Sequence, residues 1–273
     1  MAMPTSPDFP LDRPALLAAL RARAARLDQG GGAVHAGGGG VPLCAAVDGS
    51  LPGGAGLARA AVHEVLAEDP EAAAGFCALV LARAKETGPG TVLWIAPGPG
   101  DPLPERARFG LSPADLVLVR APQAEDVIWA MEEGLRCPGV AGAVLVVPAA
   151  VDAAVALRLQ VAAESGGGVG LLLRLEAAEV EAEGGAAAAL TRWRIAALAG
   201  TGGGTARGLG DPRWRLELLR SRGGRPLRWQ VVWRPAAERL ELDDAERPEP
   251  EDAGAAGTAT APPPPRRARR PSR

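Results

Sequence analysis

The chain is predicted to fold as an α/β domain with a mostly parallel central sheet and a C-terminal antiparallel extension. Three observations carry that expectation. Between residues 61 and 175, short runs rich in Val, Leu and Ile alternate with helical stretches, the order in which crossover helices join parallel strands. From 191 to 233 the period changes, and charged residues alternate with apolar ones as in half-exposed antiparallel strands. At 273 residues the chain can hold one sizeable core with tails at both ends.

Taken in order, Asp12 and Pro14 open a helix through Leu27, with Leu16, Leu17, Leu20, Ala24 and Leu27 on one face. The glycine runs at 30–32 and 37–40 follow as a flexible linker, so the compact domain is expected to begin near Val41. Its elements read as strand 61–66, helix 71–86, strands 91–96 and 116–120, helix 124–136, strand 141–147, helix 150–165 and strand 169–175. Strands 191–198, 213–220 and 227–233 complete the sheet, with Gly223-Gly224 turning the last two. Beyond Pro235 the sequence is low-complexity. An acidic part with Glu241, Asp243, Asp244, Glu246, Glu249, Glu251 and Asp252 precedes a basic PPPPRRARRPSR end, and neither can bury a core. The expected division is therefore 1–40 helix and linker, 41–235 core, and 236–273 disordered tail.

The net charge of −2 gives no overall basic field that would draw the molecule to nucleic acid or an anionic membrane. Arginine supplies nearly all the cations, and Lys85 is the only lysine, a bias of a G+C-rich genome that also inflates apparent glycine motifs. Cys44, Cys77 and Cys137 are far apart and form no C-x-x-C pair, which suits buried thiols in a reducing cytosol. With Asp8 and Asp12 where a signal peptide has basic residues, and no apolar run of membrane-span length, a cytoplasmic protein is expected.

The stretch AVHEVLAEDPEAAAGF, residues 61–76, reads as strand, tight loop and first helical turn, where a phosphate-binding loop belongs. Such a loop needs glycines to turn backbone N–H groups toward the anion, a lysine for the β/γ-phosphates and a hydroxyl for Mg²⁺. Here the place is held by Ala67, Glu68, Asp69, Pro70 and Glu71. Three carboxylates repel a polyphosphate, proline removes a donor, no glycine opens the turn, and no cation answers the charge.

The order of elements and several strings together resemble the ImuA family of bacterial mutagenesis cassettes, which is itself similar to the RecA recombinase core. The strings are GGAGLARAAVHEV (53–65), APQAEDVIWAMEEGLRCP (121–138), LRLQVAAESG (157–166), TRWRIAAL (191–198) and GDPRWRLELLRSRGGRP (210–226). The resemblance implies a RecA-like three-layer sandwich, and this chain departs from a RecA-type ATPase at each functional place. Lys85 lies at the far end of the helix after the loop, and the Walker-B place is AVLVV followed by Pro148, where an aspartate would hold Mg²⁺. The two DNA-loop places carry Pro148 to Asp152 running into a helix, and Glu176, Glu179, Glu181 and Glu183, which oppose phosphate. The family's implied job is translesion DNA synthesis in the SOS response to DNA damage. Its implied partners are an ImuB-type Y-family-like protein and an error-prone C-family DNA polymerase, with RecA or a second copy as further candidates. On this reading the chain is a non-catalytic adaptor without cofactor or metal; the alternative from another class is a SulA-like cell-division inhibitor.

Each sharp candidate has a plain structural reading beside it. Trp94 and Ile95 sit in an apolar strand and read as core. His63-Glu64 could suggest acid–base chemistry, but the only other histidine is His35 in the glycine linker, and no nucleophile or metal set can be assembled. Gly98-Pro99-Gly100-Asp101 reads as a turn. Trp193, Trp214 and Trp229 are flanked by Arg192, Arg194, Arg213, Arg215 and Arg228, a combination that can stack single-stranded bases. Alternation instead puts tryptophans on the packed face and arginines on the other, leaving the arginine side as a protein-binding face. The expected partner-binding residues are therefore Leu16, Leu17, Leu20 and Leu27 with Arg192, Arg194, Arg213 and Arg215. Weak DNA contact is expected from Arg266, Arg267, Arg269, Arg270 and Arg273.

Overall fold

A computed structural model describes residues 39–88, 90–98, 109–121, 123–147, 151–175, 189–199 and 210–243. Among these residues nine strands make one sheet: β1 (Ala61–Ala67), β2 (Thr91–Ala96), β3 (Leu116–Arg120), β4 (Val140–Val147), β5 (Val169–Arg174), β6 (Thr191–Ala197), β7 (Arg213–Ser221), β8 (Leu227–Arg234) and β9 (Arg239–Leu242). Their spatial order is β3-β2-β4-β5-β1-β6-β7-β8-β9. Pairs from β3 to β6 are parallel and those from β6 to β9 antiparallel, the expected combination of parallel sheet and antiparallel extension. With helices on both sides of the sheet, this is an α/β architecture compatible with a RecA-like sandwich.

The described helices are the short α1 (Ala45–Asp48), α2 (Pro70–Glu86), α3 (Ala124–Arg136) and α4 (Ala153–Gly166). α2 is buried almost all round because its sequence is Ala-rich and apolar on every side, and it packs on one face of the sheet. That face presents Val65, Leu171, Ile195, Leu216 and Val231 with five tryptophans, and they share one core with α2 and the segment holding Val41, Val47 and Leu57. α3 buries Val127, Met131 and Leu135, and α4 buries Ala156, Leu159 and Ala163; both lie on the opposite face over Val62, Ala143, Leu145 and Leu172. α4 starts at Ala153, later than expected, because Asp152 caps it, its Oδ1 accepting from the Val155 N–H at 2.8 Å. Gly167 ends the helix at φ 84°, a conformation that favours glycine.

Two expectations are corrected. The core was expected to stop at Pro235, but β9 adds a strand beyond it, with Leu240 2 % exposed and Asp243 buried. Arg-Leu-Glu-Leu is an alternating strand too short to stand out beside an acidic tail, and its pairing with β8 decides it. Of the cysteines only Cys77 is buried; Cys44 is half-buried and Cys137 exposed, and all three thiols are free. Cys137 surfaces because it is the C-terminal cap of α3, where the chain leaves the helix. The N-terminal helix, the glycine linker before residue 39 and the tail from 244 lie outside the described residues. No helix among the described residues is long and apolar enough to cross a membrane.

Candidate functional site

β1 sits between β5 and β6, where the strand order reverses, and open α/β sheets hold ligands outside the carboxyl ends of strands at such a point. The connection from β1 into α2 consists of Glu68 and Asp69 alone. Both of their N–H groups donate to the Ile195 carbonyl, at 3.0 and 3.3 Å. Asp69 caps α2 through its own carboxylate, which accepts from the Ala72 N–H at 2.8 Å, while Ala73 N–H bonds the Asp69 carbonyl and Pro70 has no donor. The N–H groups of Glu68, Asp69, Ala72 and Ala73 are thus taken by the chain itself, with a carboxylate seated at the start of the helix where an anion would bind.

The nearby cations are also paired. Arg215 Nη2 lies 2.7 Å from each Glu68 oxygen. Lys85 is at the far end of α2, 3.1 Å from Asp115. Arg174, the last residue of β5, gives Nη1 to Glu64 Oε1 at 2.9 Å, and Arg192 gives Nε to Glu64 Oε2 at 2.6 Å. Glu64 is fully buried, and this Arg–Glu–Arg arrangement gives each of its carboxylate oxygens a cationic partner. Pro148 and the acidic stretch at 176–183 fall outside the described residues.

His63 and Glu64 point to opposite faces and share no chemistry. The buried His63 ring faces Thr191 Oγ1 at 2.7 Å and the Ala58 carbonyl at 2.9 Å. Because the Trp193 indole donates to the same hydroxyl at 2.7 Å, the threonine proton is left for Nδ1 and Nε2–H bonds the carbonyl. Burial, only partly offset by the Ala58 hydrogen bond, lowers the His63 pKa from 6.5 to about 4 and keeps the ring neutral. Trp94 and Ile95 are core residues. No group of three His, Cys, Asp or Glu side chains suited to a metal ion occurs among the described residues.

The tryptophan strands divide as alternation requires. Trp193, Trp214, Trp229 and Trp233 are buried with Phe76 and Phe109, including a Trp193–Trp229 pair at 6.0 Å and a Phe109–Trp214 pair at 5.6 Å between ring centroids. None of these rings is available to a base. On the reverse face, Glu217 Oε2 lies 3.3 Å from Arg194, and its Oε1 lies 3.1 Å from Arg215 and 2.8 Å from Arg228. Arg213 Nε donates to Asp243 Oδ2 at 2.7 Å. The structure therefore groups Arg192, Arg194, Arg213 and Arg215 on one face. Leu16, Leu17, Leu20 and Leu27, like Arg266, Arg267, Arg269, Arg270 and Arg273, lie outside the described residues.

The acidic members of this face, Glu64, Glu217 and Asp243, escape sequence reading because their partners come from other strands. Exposed apolar side chains escape too: Val117 and Leu118 on edge strand β3, and Trp129 on α3 with 63 % of its surface open. For Trp129 the signal was its place off the Val127–Met131–Leu135 stripe.

No family model matches the chain. It is 35 % identical over 193 residues to Protein ImuA of Caulobacter vibrioides strain NA1000 / CB15N, covering 67 % of this chain and 78 % of that protein. Protein ImuA of strain ATCC 19089 / CIP 103742 / CB 15 matches with the same identity and coverage. With that identity across most of both proteins, and an α/β sheet of the expected kind, the chain belongs to the ImuA family.

Proposed function

We propose that this protein is a non-catalytic accessory factor of damage-induced mutagenesis, working as an adaptor among an ImuB-type protein, an error-prone C-family polymerase and RecA. The observation that carries the reading is the β1–α2 connection, whose N–H groups are bonded to Ile195 and to the Asp69 cap and whose neighbouring arginine is bound to Glu68. A triphosphate there would have to displace those bonds against two adjacent carboxylates. The exposed side chains of Val117 and Leu118 on edge strand β3, and of Trp129 on α3, support work by contact with another macromolecule. Any DNA contact is assigned to the basic end at 266–273, since the tryptophans of the core are buried.

Equilibrium dialysis of the full chain against Mg²⁺-ATP tests the non-catalytic part, and the expected result is no retention. Saturable micromolar binding that requires Mg²⁺ would restore a nucleotide site.

A further inference from the structure

Of the six tryptophans five are buried, while Trp129 leaves 63 % of its surface open. It stands two residues from each of Val127 and Met131, so it lies about 200° round α3 from the stripe that meets the sheet. A large ring left in water gains the fold nothing. Its surroundings are acidic: Glu125 and Asp126 precede Trp129 by four and three residues and Glu133 follows by four, the spacings that bring side chains together on one helix surface. All three carboxylates are exposed.

The charges around the ring are not balanced. Arg136 Nη1 lies 2.6 Å from Glu133, and its Nη2 bonds the buried Glu132, which also holds Arg158. Glu125 and Asp126 meet no cation among the described residues. Their place in the first turn suits the helix dipole, but the dipole calls for no tryptophan beside them. A purely apolar partner over Trp129 would bury these carboxylates unpaired, and a nucleic acid would set phosphates against them. A guanidinium answers both features, since it stacks on the indole face and bonds carboxylates at its edge. The convex surface of a helix encloses no small molecule, so the cation arrives on a protein segment.

We propose that the solvent face of α3 docks an arginine-bearing segment of a protein partner, with a guanidinium stacked on Trp129 and held by Glu125 and Asp126. Glu133 stays with Arg136 and marks the far end of the contact. A tryptophan met by an arginine is the kind of pair that dominates binding energy at protein interfaces. The inference deepens the accessory-factor reading: it rests on that reading for the existence of a partner and supplies the partner's chemistry.

The full chain is titrated with an amidated, tryptophan-free peptide of Leu-Ala-Ala-Arg repeats and with the matching Leu-Ala-Ala-Glu peptide. Because the other five indoles are buried, acrylamide quenching reports Trp129. Saturable protection is expected with the arginine peptide and none with the glutamate one. Affinity for the arginine peptide should fall about tenfold or more in Trp129→Leu, which keeps an apolar side chain without a π face. It should fall several-fold in Glu125→Gln with Asp126→Asn, and that difference should close in high salt. Both variants change exposed side chains, so their Tm should stay within about 2 °C of the natural chain. Absence of binding by the arginine peptide, equal affinity in Trp129→Leu, or equal binding of the glutamate peptide would overturn the proposal. So would a Trp129 shielded from acrylamide in the free chain and opened by Arg266→Gln, Arg267→Gln, Arg269→Gln, Arg270→Gln and Arg273→Gln together, which would place the chain's own basic end on α3. None of these results involves Mg²⁺-ATP, so dialysis separates a failure here from a failure of the accessory-factor reading.

Discussion

Glu64 and His63 are neighbours in sequence, and the pleat of β1 gives them opposite dependencies. Glu64 holds two arginines, so Glu64→Gln leaves Arg174, 8 % exposed, without its counter-charge, and a stability loss of about 3 kcal/mol is expected. Denaturant melts at neutral pH measure it, and a loss under about 1 kcal/mol would show that the arginines find other partners. His63 acts through protons. The unfolded chain takes up a proton near pH 6.5 and the folded one only near 4, so between these values the unfolded state binds more protons and stability rises with pH. The contribution is complete above about pH 6.5 and lost as pH falls toward 4, on the order of 3 kcal/mol in all. Melts of the natural chain and His63→Gln over that range should show the natural chain declining more steeply toward acid; parallel curves would contradict a buried neutral ring.

At the scale of elements, α2 packs on the antiparallel extension with Phe76 against Trp193 and Trp214, and one small residue beside it sets how closely they approach. Gly75 lies in mid-helix, where glycine is ordinarily unfavourable, and a Cβ there would come within 2.7 Å of the Phe109 ring and 3.1 Å of Trp214. The helix thus trades propensity for close approach to the aromatic cluster that joins the two halves of the sheet. Gly75→Val should cost about 2 to 3 kcal/mol through overpacking, read as a lower denaturant midpoint together with altered tryptophan fluorescence. An unchanged midpoint would mean that the aromatic layer yields freely. The same layer explains why α2 lacks a polar stripe: one side meets the sheet, and Val41, Leu57 and Phe109 belong to the core cluster around it.

For the whole molecule, the position of the C-terminal boundary decides whether the sheet is complete. A chain ended after Pro235 loses Leu240 from the core and the Asp243–Arg213 pair, and exposes β8 as an apolar edge. A chain ended after Asp243 keeps all three. The first is expected to melt at least about 5 °C lower and to aggregate at lower concentration than the second, by calorimetry and light scattering. Equal behaviour would make β9 dispensable.

Local patterning was enough to place most of the elements. Runs such as Thr91–Ala96 and Leu116–Arg120, and the helix Ala124–Arg136, were legible to the residue because their periodicity and flanking turns depend on nearby sequence alone. That Glu68, Asp69 and Pro70 stand between a strand and a helix was legible for the same reason. That alternation would separate tryptophans from arginines also followed from the two-residue period of a strand. Tertiary structure decided the rest. Glu64 meets Arg174 and Arg192 because β5 and β6 flank β1; Ile195 closes the β1–α2 turn because β6 is adjacent; Asp243 reaches Arg213 because β9 pairs beside β8. Each joins residues separated by between 30 and 128 positions along the chain, and no local period encodes a partner that far away.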